Sequence, residues 1–177
     1  MSRPEVLVVM GVSGSGKSTI AEPVAKRLGW DFQEGDELHP PANIAKMKAG
    51  HPLTDADRAP WLTAVRGWIA AELEAGRSGV ITCSALKHAY RTRISEGLDG
   101  VRFVYLKGDE AEIRERMADR KGHFMPVSLL DSQFDTLEPP GPHEHAIVID
   151  NSQTVEAQVD EIITNVVPPA VADAPGR

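Results

Sequence analysis

Gly11-Val12-Ser13-Gly14-Ser15-Gly16-Lys17-Ser18 matches the pattern G-x-x-x-x-G-K-[ST] at every fixed position. An apolar run, Val6-Leu7-Val8-Val9-Met10, leads into it, and a helical pattern from Lys17 towards Leu28 leads out. A loop between a buried strand and a helix points its backbone N–H groups into one concavity beside the positive end of the helix dipole. Glycines at 11, 14 and 16 let that backbone curl close to a polyphosphate. Lys17 can then reach the β- and γ-phosphates, and the Ser18 hydroxyl can ligate Mg²⁺. Strand before and helix after argue against a chance match, so the stretch implies a site for ATP or another nucleoside triphosphate.

Three further apolar runs read as buried parallel strands, namely Val80–Cys83, Val101–Leu106 and Ala146–Ile149, with a weaker one at Trp30–Gln33. Helical patterns lie between them. Trp61, Leu62, Val65, Trp68, Ile69 and Leu73 recur at three-to-four spacing and stop at Gly76. Ile113 and Met117 mark a helix from about 109 to 120, Leu129 to Leu137 mark one opened by Pro126, and Val155 to Ile163 mark the last. Pro23 falls inside the first helix, where a local kink is expected. Alternating strands and helices predict right-handed crossovers and an α/β, three-layer α/β/α fold with a five-stranded parallel sheet. Residues 1–167 are expected to form one domain, and the Pro/Ala-rich 168–177 a disordered tail.

The bulk composition narrows the partners. The chain has 177 residues, 41% hydrophobic and 25% charged, which suits one soluble α/β domain. Its formal charge of −7 argues against a nucleic-acid partner. Cys83 stands alone, so no internal disulfide is expected and a reducing, cytoplasmic setting fits. No run is long enough to cross a membrane, and no signal-like segment precedes the loop.

Ligands of an open parallel sheet gather at the carboxyl ends of its strands. After the weak second strand come Glu34 and Asp36, which an extended backbone would aim the same way. No acidic residue ends the Val80–Cys83 strand, so this pair is expected to hold Mg²⁺ through water and to take a proton from an acceptor hydroxyl. A solvated turn or a helix cap is the plainer alternative, and for Asp150 it is the preferred one. Residues 37–60, rich in Pro and polar groups, read as a substrate-binding flap of a short helix plus loops, with His39 and Arg58 its best ligands for an anionic substrate. Ser84, Lys87 and Arg91 add a hydroxyl and cations at the same sheet edge, although either cation alone reads as solvated helix charge. A second basic cluster of Arg114, Arg116, Arg120, Lys121 and His123 straddles a helix junction at about 118–127, where a lid would hinge and swing arginines over the phosphates. An exposed basic helix face is the alternative, strongest for Arg114.

These residues have a family look. The loop with Gly35-Asp36-Glu37-Leu38-His39-Pro40, Asn43-Ile44, Lys46-Met47 and Gly50 resembles the gluconokinase family of P-loop kinases. So do Pro52-Leu53, Asp57-Arg58, Pro60-Trp61-Leu62, Cys83-Ser84-Ala85-Leu86-Lys87, Tyr90-Arg91, Tyr105-Leu106-Lys107-Gly108, His123-Phe124, Ser132-Gln133-Phe134 and Leu137-Glu138. The blocks run in order from about residue 5 to 150. The loop is common to many families, whereas the Gly-Asp-x-Leu-His-Pro and Ser-Ala-Leu-Lys blocks are far more selective. The resemblance implies a nucleoside-monophosphate-kinase-like fold, a homodimer, and phosphorylation of D-gluconate at its 6-hydroxyl by ATP with Mg²⁺. It implies ATP contacts from Gly11, Val12, Ser13, Gly14, Ser15, Gly16, Lys17, Ser18 and Thr19, with Arg116 near the adenine and Arg120 as the lid arginine. It further implies Lys17, Asp36 and Arg120 as catalytic, and Asp36, His39, Arg58, Lys87 and Arg91 as gluconate contacts. Glu34 departs from the family, which often carries Asp there. Rival readings are a shikimate or nucleotide kinase, a nucleotide-dependent sensor that transfers nothing, and a nucleic-acid end-kinase, which the net acidity disfavours.

Overall fold

Five parallel strands in the order β2-β3-β1-β4-β5 carry the molecule. The computed structural model describes residues 3–119 and 128–167. The strands are β1 (Val6–Met10), β2 (Asp31–Gln33), β3 (Gly79–Thr82), β4 (Val101–Lys107) and β5 (Ile147–Asp150). The helices are α1 (Lys17–Leu28), α2 (Pro41–Lys48), α3 (Asp55–Glu74), α4 (His88–Ser95), α5 (Glu110–Asp119), α6 (Ser128–Thr136) and α7 (Val155–Val166). This is the three-layer α/β/α fold with a five-stranded parallel sheet expected from the alternation of strands and helices.

The period of two in a strand explains the layering. Every residue of β1 is buried. Val6, Val8 and Met10 join Trp61, Leu62, Val65 and Ile69 of α3 and Ile94 of α4 on one face. Leu7 and Val9 join Ile20 and Val24 of α1 and Val159 and Ile162 of α7 on the other. A third cluster, Val12, Leu86, Ile113, Met117 and Leu130, packs α5 and α6 against the carboxyl edge of the sheet. Apolar packing thus fastens the loop after β1 to two helices far along the chain.

Two expectations change. The final residues of the expected flap, 55–60, are the first turns of α3, which begins six residues before the apolar pattern. Thr54 caps it, its hydroxyl accepting from Asp57 N while the Asp57 carboxylate accepts from Thr54 N. Pro60 lies inside that helix, as Pro23 lies inside α1, and neither ends it. The other change is local: Gly35 to Leu38 form a 3-10 turn, so Glu34 and Asp36 do not share an extended strand. No helix of the described residues is long and apolar enough to cross a membrane. The expected lid core at 120–127 and the tail at 168–177 lie outside the described residues.

Candidate active site

The loop from Gly11 to Gly16 closes over the start of α1. Gly14 and Gly16 hold φ of 80° and 95°, a region that side chains disfavour, so the curl needs glycine at both. Helix α1 starts at Lys17 with no side-chain cap, which leaves its first-turn amides for an anion. Lys17 Nζ lies back across the loop, donating to Gly11 O at 3.1 Å and Val12 O at 3.0 Å. Burial pushes its pKa down, and the Asp36 carboxylate acts the other way. Ser13 N donates to Gln133 Oε1 of α6 at 2.6 Å, so a helix 120 positions away reaches the loop.

Glu34 reaches the loop through strand register. β2 pairs with β3 so that Gln33 faces Ile81, which sets Glu34 beside Thr82. Ser18 Oγ donates to Glu34 Oε2 at 2.5 Å and Thr82 Oγ1 donates to Glu34 Oε1 at 2.5 Å. Thr82 also accepts from Gly35 N at 3.0 Å. Thr82 ends β3, where the sequence offers no acid, and the neighbouring strand supplies the carboxylate instead. That donor set is all oxygen, as a hard divalent cation requires. Ser18 would hold Mg²⁺ directly and Glu34 or Asp36 through water, and the ion would supply charge neutralisation at the phosphates.

Asp36, His39, Arg58 and Trp61 border the same cleft as Ser13 and Lys17. The 3-10 turn therefore delivers Asp36 to the loop although the backbone is not extended. Trp61 Nε1 donates to Gly35 O at 2.8 Å and its ring stacks on His39 at 4.1 Å and 14°. His39 is buried, with Nδ1 3.2 Å from Asn43 Nδ2. An amide donor at Nδ1 leaves the imidazole proton on Nε2. Burial, then the nearby Arg58 charge, pushes the His39 pKa down to about 4. An unfolded histidine protonates near 6.5, so the neutral ring's contribution to stability is complete above about pH 6.5 and is lost as pH falls towards 4. The expected result is a parent Tm that drops over that window more steeply than that of His39→Gln. Parallel profiles in a thermal scan at stepped pH would contradict the assignment.

The remaining expected residues separate. Lys87 Nζ sits 3.4 Å from Asp55 Oδ1, at the rim of α3. Arg91 is buried, and its guanidinium donates to Glu144 Oε1 at 2.6 Å, Ala85 O at 2.8 Å and Glu138 O at 2.9 Å. A buried guanidinium needs all its donors met, and this one clamps the segment after α6 to the loop after β3. Arg91 is therefore a structural cation, a correction to its place among the gluconate contacts. Arg116 Nη2 donates to Asn151 O at 3.3 Å, and Asn151 Nδ2 donates in turn to Ser15 O at 3.3 Å. That chain sets Arg116 at the far end of the loop. Arg114 bridges Glu110 and Asp131, joining α5 to α6. Cys83, whose thiol burial pushes up to about 12, is a packing residue. Arg120 lies outside the described residues. The sequence reading missed Thr82 and the Trp61–His39 stack. A hydroxyl at the end of an acid-free strand was the available signal for the first, and an indole one helix away gave none for the second.

A phosphate loop heading a parallel sheet, with a carboxylate and cations gathered across one cleft, makes this a P-loop kinase. The model of the AAA-domain family matches residues 6–140. Over 161 residues the sequence is 49% identical to the gluconokinase of Gluconobacter oxydans (strain 621H), covering 91% of this chain and 90% of that one. The chain belongs to the gluconokinase family. Two crystal structures agree. An unliganded sugar kinase from Janibacter sp. HTCC2649 superposes with a TM-score of 0.89 at 49% identity, over 97% of this chain and 99% of that one. A gluconokinase from Sinorhizobium meliloti 1021 gives 0.83 at 45%, over 94% and 93%.

Proposed function

We propose that this protein transfers the γ-phosphoryl group of ATP to the 6-hydroxyl of D-gluconate, giving 6-phospho-D-gluconate and ADP. The observation that carries the reading is one cleft bordered by Lys17 of the phosphate loop, Asp36, and the His39 and Arg58 side chains. Membership of the gluconokinase family supplies the substrate. Loop amides and Lys17 hold the triphosphate, with Ser18 and Glu34 beside it. Asp36 orients the 6-hydroxyl and accepts its proton as the oxygen attacks phosphorus in line. His39, donating through Nε2, reads a hydroxyl, and Arg58 meets the carboxylate. Little covalent chemistry is asked of the protein, so positioning and charge stabilisation dominate. Arg116 borders the adenine, and Arg120 supplies a further cation for the phosphates. A homodimer and a cytoplasmic location belong to the same reading, supported by the family resemblance and by a lone, buried cysteine.

The test is ADP release from ATP·Mg²⁺ with D-gluconate, shikimate and nucleoside monophosphates in parallel. Release with gluconate alone is expected. Release with another acceptor would overturn the substrate, and nucleotide binding without acceptor-dependent release from any would return the weight to a sensor.

A further inference from the structure

Tyr90 of α4 stands between two oppositely charged residues of α3. Asp55 and Arg58 lie three apart at the start of that helix, a spacing at which an acid and an arginine ordinarily meet. Here Arg58 Nη1 stops 3.9 Å from Asp55 Oδ1, well beyond a charge-assisted hydrogen bond. The Tyr90 hydroxyl fills the gap. It accepts from Arg58 Nη1 at 3.0 Å and donates to Asp55 Oδ1. Its ring lies under both cations, with Arg58 Cζ 5.3 Å and Lys87 Nζ 5.5 Å from the centroid. Tyr90 is 6% exposed, so the hydroxyl is held in place. The Arg58 side chain is 15% exposed and borders the cleft, whereas that of Asp55 is 70% exposed and can remain solvated.

We propose that the Tyr90 hydroxyl is a spacer that keeps Arg58 out of a direct ion pair with Asp55, leaving the guanidinium to face the cleft. The inference rests on Arg58 meeting the gluconate carboxylate. Tyr90 is then a positioning residue for substrate affinity and touches neither substrate. An internal carboxylate within reach of Arg58 competes with the incoming one, and the hydroxyl sets the outcome by occupying the bond that Asp55 would otherwise take. Lys87, 3.4 Å from the same Asp55 oxygen, gives that carboxylate a second cation besides Arg58.

Tyr90→Phe keeps the ring and removes the spacer. The expected result is a gluconate KM raised about ten- to a hundredfold, the loss of one charge-assisted hydrogen bond. Turnover and the KM for ATP stay at parental values. Asp55→Asn alone leaves the gluconate KM near parental, and Tyr90→Phe combined with Asp55→Asn restores it, because the competing charge has gone. A role in helix packing alone would lower Tm without that rescue. A parental KM in Tyr90→Phe, or a raised KM that Asp55→Asn does not restore, overturns the spacer. Arg58→Ala separates the two levels. If it raises the gluconate KM while Tyr90→Phe does not, the spacer fails and the carboxylate contact stands. If Arg58→Ala leaves the KM unchanged, the contact fails and the spacer with it.

Discussion

Asp36→Asn is expected to lower kcat by about a hundredfold or more while the Kd for ATP stays within about threefold, the range of effect of a positioned general base. The substitution is isosteric, so it tests charge and not shape. Asp36 borders the same cleft as Lys17, and its field acts on that ammonium. An amide there cannot take the proton from an attacking hydroxyl, yet it fills the same space and leaves the loop amides untouched. Because the loop and Ser18 carry nucleotide binding, the two parameters should separate. Measuring kcat by coupled ADP release and Kd by calorimetry gives the comparison. Near-parental turnover removes Asp36 from the role of base, and an equal loss of ATP affinity would make it a nucleotide ligand.

Gly35→Ala is expected to disable the enzyme from a position that touches neither substrate. A Cβ built on Gly35 would lie 1.7 Å from Thr82 O and 2.9 Å from Thr82 C. Both are backbone atoms at the end of a sheet strand and cannot step aside as a side chain would. The ends of β2 and β3 must separate, which stretches the Gly35 N to Thr82 Oγ1 bond and the Trp61 Nε1 to Gly35 O bond. Glu34 and Asp36 flank the glycine, and His39 is stacked on that tryptophan. Overpacking costs about 1–3 kcal/mol and more against rigid backbone. For a domain of this size about 3 kcal/mol lowers Tm by roughly 6–12 °C. Displacing site groups by about 1 Å costs on the order of a hundredfold in kcat/KM. A thermal melt and a progress curve on the purified variant check both, and parental values in both would contradict the contact.

How much of this was legible beforehand depended on distance along the chain. The phosphate loop was readable because eight contiguous residues carry it. β1 was legible to the residue, since a strand covered on both faces is a continuous apolar run. β3 was displaced by one position, because Gly79 is buried in the sheet while an isolated glycine reads as a boundary. α3 was read six residues short, because its first turns are polar and Pro60 looks like a breaker, whereas the Thr54–Asp57 cap carries the helix through. The acidic pair was expected on an extended backbone and lies instead at a 3-10 turn, which leaves no period in four residues. What sequence could not show was register and burial. Glu34 meets Thr82 only because β2 pairs with β3. Arg91 looked like a free cation, and only a partly buried carboxylate 53 positions away, Glu144, reveals it as a clamp.

Transfer to the 6-hydroxyl of gluconate can be read from the position of the new bond. [6-¹³C]-D-gluconate turned over with ATP and Mg²⁺ should give a product whose labelled carbon is split by coupling to phosphorus, in proportion to the ADP formed. An unsplit C6 signal alongside ADP formation would place the phosphate elsewhere or on water, and would contradict the assignment of Asp36, His39 and Arg58 as the groups that orient this acceptor.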